Sequence, residues 1–345
     1  MGFRYIRGEL FVNYAIETLV RMHRVDTMAF ANESSTNFNQ YIKVPLNSDM
    51  SQAIYVKSCC VVIKQTALAQ GGRAAQFAQQ GDATAQRIVA ADQSHQRTIE
   101  VLRQTLNRHE IAFHELSTKA LNVQAKRRLA RADLVITIGG DGTVLNTSHC
   151  VTQAVMVGVN SAPGDSVGHF CALTADTFAA RLQDYLAGRW RVTPLTRLAV
   201  TLDDRRLPEL ALNDVLIAHD CPAATTRYLI DDGQGEEEHR SSGIWIATAA
   251  GSTAGIRSAG GRKQPRRSQK IQYRVRELYR ETHGGVLRDY RLTSGFIEFG
   301  ETLTIASKMP EAWLYVDGAR TVYPFPFGAR ACFQAAAEPL RLLMA

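Results

Sequence analysis

The segment Asp133-Leu134-Val135-Ile136-Thr137-Ile138-Gly139-Gly140-Asp141-Gly142-Thr143 constrains the fold more than any other. A run this apolar and this short fits a strand buried on both faces, which is the environment of a parallel sheet. It opens through three glycines around one carboxylate into a helix expected to begin near Thr143. Glycines lack Cβ and let backbone N–H groups approach phosphate oxygens, and a helix N-terminus adds a favourable dipole. An Asp placed there can accept a proton from an attacking hydroxyl, although a glycine turn with an Asp serving only as a cap gives the same pattern.

Around this segment the pattern is βαβ. Cys59 to Ile63 reads as a strand, followed by an Ala/Gln/Gly loop to about Ala91. Ile99, Leu102 and Leu106 lie on one face of a helix from about His95 to Arg108. Ile111 to Leu116 and Ala154 to Val159 read as further strands. An α/β domain with a parallel sheet is therefore expected over 55–195. Beyond Thr196 short, mostly alternating runs predominate: Leu198–Leu202, Ala211–Ile217, Tyr228–Asp231, Ile244–Thr248, Ile271–Val275, Phe296–Phe299, Leu303–Ala306 and Trp313–Val316. These predict an all-β domain over 196–325. Residues 326–345 are apolar and helix-tolerant, and are expected to pack back on the α/β domain.

Residues 1–54 read as an extension outside the fold, disordered or misassigned. Their Arg-bearing start resembles an organellar transit peptide, with Glu9, Glu17 and Asp26 counting against it. No stretch of 18 apolar residues occurs, so no membrane span is expected. Six cysteines without a CxxC pair, and histidines without ligand spacing, predict a reducing, cytoplasmic setting and no protein metal site. A net charge of +7 suits an anionic partner. The basic run from Arg262 to Arg280 lacks interleaved aromatics, which favours nucleotide steering over nucleic-acid recognition.

Three ordered motifs carry a resemblance. The run DLVITIGGDGTVLNTSH with VMVGVNSAPGDSVGHFCALT is similar to the NAD kinase family, as are Ala211-Leu212-Asn213-Asp214-Val215 and Ser241-Ser242-Gly243-Ile244 through Thr248-Ala249-Ala250-Gly251-Ser252-Thr253-Ala254 to Ser258. Val316-Asp317-Gly318 is a weaker echo. The resemblance implies the two-domain architecture shared by NAD kinases and diacylglycerol kinases. It also implies transfer of the ATP γ-phosphoryl to the adenosine-ribose 2′-hydroxyl of NAD⁺ or NADH. Asp141 would be the base, with Gly140, Gly142 and Thr143 near the phosphates. Asn213 and Asp214 would contact the dinucleotide, Asp214 standing where the family has Glu. Thr248, Gly251, Ser252, Thr253, Ala254 and Ser258 would line the adenosine pocket, and Arg227, Arg240 and Asp317 are further candidate contacts. Where the family usually has Tyr after this segment, the chain has Gly255. Ser242 replaces a common Asp, as in the NADH-preferring branch.

Mg²⁺ is expected to arrive with ATP, polyphosphate is an alternative donor, and a homo-oligomer, dimer or tetramer, is expected. A lipid kinase of the diacylglycerol or sphingosine type shares GGDGT but lacks the second and third motifs. A non-catalytic dinucleotide sensor and a nucleic-acid-binding protein are the readings from other classes.

Overall fold

The computed structural model describes residues 53–344, apart from 281, 284 and 285. The α/β part runs β1 (Cys59–Ile63), α1 (Ala67–Gln70), α2 (Arg73–Ala78), α3 (Ala83–Arg108), β2 (Phe113–Ser117), α4 (Val123–Arg131) and β3 (Leu134–Gly139). It continues through α5 (Asp141–Ser148), β4 (Val155–Asn160), β5 (Leu173–Thr174), α6 (Ala175–Leu186) and β6 (Val192–Leu195). Every residue of β3 and β4 is buried, as central parallel strands covered by helices on both faces require. The strand order is β2-β1-β3-β4-β21-β6, where β21 (Leu340–Leu343) pairs parallel to β4 and antiparallel to β6.

The expected loop to Ala91 is largely helical. Thr66 caps α1 and Asp82 caps α3, each accepting a backbone N–H three residues on. Ala and Gln are good helix formers, and the repetitive composition hid them because Gly71, Gly72 and Gly81, all at positive φ, break the segment into short turns. In α3 the expected stripe of Ile99, Leu102 and Leu106 is buried against the sheet.

The β-rich part comprises β7 (Leu198–Leu202), β8 (Arg205–Arg206), β9 (Asp214–His219), β10 (Thr226–Asp231), β11 (Glu236–Ser241) and β12 (Gly243–Ala247), then α7 (Gly255–Ser258) and β13 (Ile271–Arg276). A short hairpin, β14 (Thr282–His283) with β15 (Val286–Leu287), precedes β16 (Ser294–Ile297), β17 (Leu303–Ser307), β18 (Ala312–Val316), β19 (Thr321–Pro324) and β20 (Arg330–Ala335). Two antiparallel sheets, β11-β10-β17-β20-β7-β8 and β16-β13-β12-β9-β18-β19, enclose one apolar core. Val200, Ile230, Ile305 and Phe333 enter it from the first sheet and Val215, Ile246, Ile271 and Leu314 from the second.

The last twenty residues form strands where helix-tolerant sequence was read. β20 stays in the β-rich part between β17 and β7, and β21 completes the first sheet; β7 and β4, with which they pair, lie far away in sequence and leave no local signature. Arg197 secures the passage between the two parts. Its buried guanidinium donates to the carbonyls of Val151 at 2.9 Å and Glu338 at 2.9 Å, and burial lowers its pKa to about 10. Among the described residues no helix is long and apolar enough to cross a membrane.

Of the extension expected over 1–54, residues 1–52 lie outside the described residues. The fold itself already includes Ile54, whose N–H donates to Leu186 O at 2.7 Å, and buried Val56. A chain beginning at residue 53 is expected to melt with the full chain. One beginning at residue 57 loses both contacts, at least about 2 kcal/mol by apolar burial, and should melt about 4 °C or more lower by scanning calorimetry.

Candidate active site

The order of the parallel strands reverses between β1 and β3, and ligands of open α/β sheets bind beyond the carboxyl ends at such a point. A cleft of about 820 Å³ opens there. Lys64 and Gln65 from the end of β1, Thr118 and Lys119 from the end of β2, and Gly140, Asp141, Gly142 and Thr143 from the start of α5 line one side. Asp317, Arg320 and Thr321 from the β18–β19 turn line the other.

The glycines of this turn have distinct tasks. A Cβ on Gly139 would lie 2.2 Å from the Thr143 hydroxyl, so only a bare Cα lets α5 start so close to β3. Nothing lies within 4 Å of a Cβ built on Gly142, whose backbone therefore faces open space. Thr143 N–H already donates to Gly140 O at 2.9 Å, so the N–H groups of Asp141 and Gly142 are the ones a helix start leaves without an intrahelical acceptor. Asp141 is the first residue of that helix, two positions earlier than the sequence reading placed the helix start. Its two carboxylate oxygens accept the N–H groups of His169 at 2.8 Å and Phe170 at 2.7 Å, which fixes the carboxylate and folds the loop after β4 over it. Next to it, burial and then the Asp141 charge push the Cys171 thiol up to about 12, so this sulfur stays protonated.

Asp317 closes the other side. One carboxylate oxygen accepts from Asn213 N at 2.7 Å and Asp214 N at 3.1 Å, and the other from Leu212 N at 2.8 Å and His149 Nε2 at 2.8 Å. The side chains of Asp317 and His149 are 1% and 6% exposed, so this pair is shielded from solvent. Asp317 sits at φ 50°, a left-handed conformation that Asp tolerates better than most residues. His149, given no part by sequence reasoning, thus ties the C-terminal end of α5 to the β-rich part.

Asn213 is half-buried and Asp214 buried, at the start of β9. Burial, and secondly the neighbouring Asp317 charge, raise the Asp214 carboxyl to about 7. The Thr248–Ala254 segment packs on this pair: Thr248 N donates to Asn213 O at 2.9 Å, and a Cβ on Gly251 would lie 2.1 Å from the same oxygen. Thr248 and Ser252 are buried with their hydroxyls donated to Leu212 O and Ala249 O. They brace the segment, while Thr253 and Ser258 are exposed and Ala254 half-buried.

Not every expected residue gathers here. Asn213 and Asp214 are joined to the cleft through Asp317 rather than lining it, the expected residues from Thr248 to Ser258 do not line it, and Arg227 and Arg240 face each other across β10 and β11, also outside it. Ser242 lies with Leu216, Tyr315 and Arg276 around a separate pocket of about 430 Å³. The basic run is partly engaged elsewhere, as in Lys270 to Glu298 at 2.6 Å and Arg274 Nε to Ala259 O at 2.9 Å. Conversely, sequence reasoning overlooked the cations Lys64, Lys119 and Arg320, which line the cleft with no ion-pair partner among the described residues. Lys64 was within reach of it, since it follows a strand that was read correctly. No group of three His, Cys, Asp or Glu able to hold a metal occurs among the described residues.

A parallel-sheet domain whose glycine turn presents a fixed carboxylate to a cationic cleft, closed by a β-sandwich, defines a phosphotransferase-type two-domain protein. Comparison with known proteins narrows this. The ATP-NAD kinase N-terminal domain model matches residues 59–190. The chain is 33% identical over 256 residues to a probable NADH kinase of Oryza sativa subsp. japonica, covering 68% of this chain and 76% of that one. It is 32% identical over 262 residues to an NADH kinase of Arabidopsis thaliana, covering 63% and 81%. The fold is that of yeast NADH kinase complexed with NADH (TM-score 0.63, 15% identity, 87% of this chain and 88% of that one) and of an Archaeoglobus fulgidus NAD kinase in complex with ATP (TM-score 0.58, 17% identity, 83% and 93%). The chain belongs to the NAD kinase family.

Two outcomes follow from the Asp317 and Asp214 geometry. Asp317→Ala leaves three backbone donors and His149 without their acceptor and should cost about 3 kcal/mol or more, read by urea unfolding. The raised Asp214 pKa means that the folded state binds a proton the unfolded state has released. Its contribution to stability is therefore complete below about pH 4 and lost as pH rises through about 7. Asp214→Asn should flatten the fall in melting temperature between about pH 5 and 8; an unchanged slope would contradict the assignment.

Proposed function

We infer that the protein transfers the γ-phosphoryl of ATP to the 2′-hydroxyl of the adenosine ribose of NAD⁺ or NADH. The observation that carries this is Asp141, a carboxylate pinned by two backbone N–H groups at the mouth of a helix, in a cleft it shares with three cations that have no ion-pair partner among the described residues. A carboxylate oxygen that accepts one N–H keeps a further lone pair, so Asp141 can take the proton of the attacking hydroxyl. Lys64, Lys119, Arg320 and the N–H groups of Asp141 and Gly142 at the start of α5 offset the charge that develops on the transferring phosphoryl group. Mg²⁺ carried on the triphosphate would neutralise phosphate charge. The hard oxygen ligands it needs would be supplied by the triphosphate and water.

Asn213 and Asp214 are the proposed ribose contacts. An Asp214 that is partly protonated near neutral pH can donate as well as accept, which suits a sugar hydroxyl. The polar, charged lining supports a dinucleotide over the acyl chain of a lipid acceptor. Assembly as a dimer or tetramer is part of the same reading; the half-buried Trp313 and Tyr315 on the outer face of the second sheet support it.

With Mg-ATP and either NAD⁺ or NADH, NADP(H) should form. Asp141→Asn should lower kcat by about 10²- to 10⁴-fold while the dinucleotide Kd stays within about tenfold; undiminished turnover would remove Asp141 from the chemistry. With the nicotinamide proposed to lie toward the pocket that Ser242 lines, the wild type should use NADH at least comparably to NAD⁺, since Ser242 lacks the carboxylate that would favour the cationic ring. Ser242→Asp should move the kcat/KM ratio toward NAD⁺ by up to about tenfold.

A further inference from the structure

The residue after the Thr248–Ala254 segment is Gly255, where the family usually has Tyr, so the chain carries no aromatic ring on that loop. The structure shows what occupies the space instead. A Cβ built on Gly255 would lie 2.7 Å from Trp245 Cζ2, 2.9 Å from Cη2 and 3.1 Å from Cε2. The six-membered ring of the indole therefore rests directly on the Gly255 backbone, and no side chain fits between them.

Trp245 is oriented for this by the strand. Its neighbours on β12, Ile244 and Ile246, are fully buried in the sandwich core, so the alternation of a strand turns Trp245 to the opposite face. There it lies between Leu216 of β9 and Arg274 of β13 in register, and it remains half-buried rather than covered. A Trp on the outer side of a sheet, fitted to a glycine beside the exposed tip Thr253–Ala254, is a large flat surface held rigidly next to a segment with little side chain of its own.

We propose that Trp245 supplies the aromatic face on which the adenine of NAD(H) stacks, and that Gly255 is small because the indole takes the place of a side chain there. This rests on the kinase reading above. Trp245 is then a specificity-determining residue delivered from a strand rather than from the loop. Trp245 and Gly255 behave as an exchange pair, and either aromatic position excludes the other. Thr253 and Ala254 carry only short side chains beside the ring, and the hydrogen bonds of Thr248, Gly251 and Ser252 brace the segment that presents them.

The test uses the full chain with ADP-ribose, which has adenine but no nicotinamide. In a Trp190→Phe, Trp313→Phe background, ADP-ribose should quench the remaining Trp245 emission, a readout independent of turnover. Trp245→Leu should raise KM for NADH and Ki for ADP-ribose together, by about tenfold as expected for loss of one base–aromatic stack, with KM for ATP unchanged. Gly255→Tyr alone should lower the melting temperature, because its Cβ meets the indole, whereas Trp245→Ala with Gly255→Tyr should recover both the melting temperature and most of the affinity. Trp245→Phe provides a milder change, expected to give an intermediate KM and Ki. Unchanged KM and Ki in a Trp245→Leu protein that melts like wild type, or a KM that rises without Ki, would overturn the proposal. Absence of NADP(H) from the wild type would contradict the kinase reading instead.

Discussion

The carboxylate of Asp317 is the constraint on which the arrangement of the site depends. It collects the N–H groups of three consecutive residues, Leu212 to Asp214, and the imidazole of His149. Those partners come from the start of β9 and the end of α5, so one buried anion fixes the β-rich part against the helix that carries Asp141 at its other end. An unpaired carboxylate at 1% exposure would be costly, and four donors offset that cost. The same charge raises the Asp214 carboxyl, so the group proposed to meet the ribose owes its proton affinity partly to the residue that holds the domains together.

A rigid junction suits phosphoryl transfer, in which the protein positions groups and offsets charge more than it reacts. α5 spans about 12 Å for eight residues, with Asp141 pinned by the loop after β4 at one end and His149 pinned by Asp317 at the other. The glycines follow from this compactness. Gly139 admits Thr143 and Gly251 admits Asn213 O, each at distances no Cβ tolerates.

Much of this was legible in the sequence where the physics is local. β1, β3 and β4 are continuous apolar runs and the later strands are short and alternating, so the parallel sheet and the β-rich second part could be read directly, and the GGDGT turn marked Asp141 as the candidate base. What escaped was non-local. His149 bonds a residue 168 positions away, and β21 pairs with a strand that precedes it by more than half the described chain. Lys64, Lys119 and Arg320 are single cations beside separate elements, brought together only by the fold. The Ala/Gln-rich start of α3 failed for a different reason, since its helix propensity was masked by the glycines that punctuate it.

The central claim is that this junction presents the adenosine 2′-hydroxyl to Asp141. A crystal structure of the protein with NADH and a non-reactive ATP analogue tests it most directly. The account predicts the 2′-oxygen within about 3 Å of an Asp141 carboxylate oxygen, with the terminal phosphate of the analogue on the opposite side of that oxygen. A dinucleotide whose 2′-hydroxyl lies away from Asp141, leaving that carboxylate bonded only to His169 and Phe170 N–H groups, would contradict it.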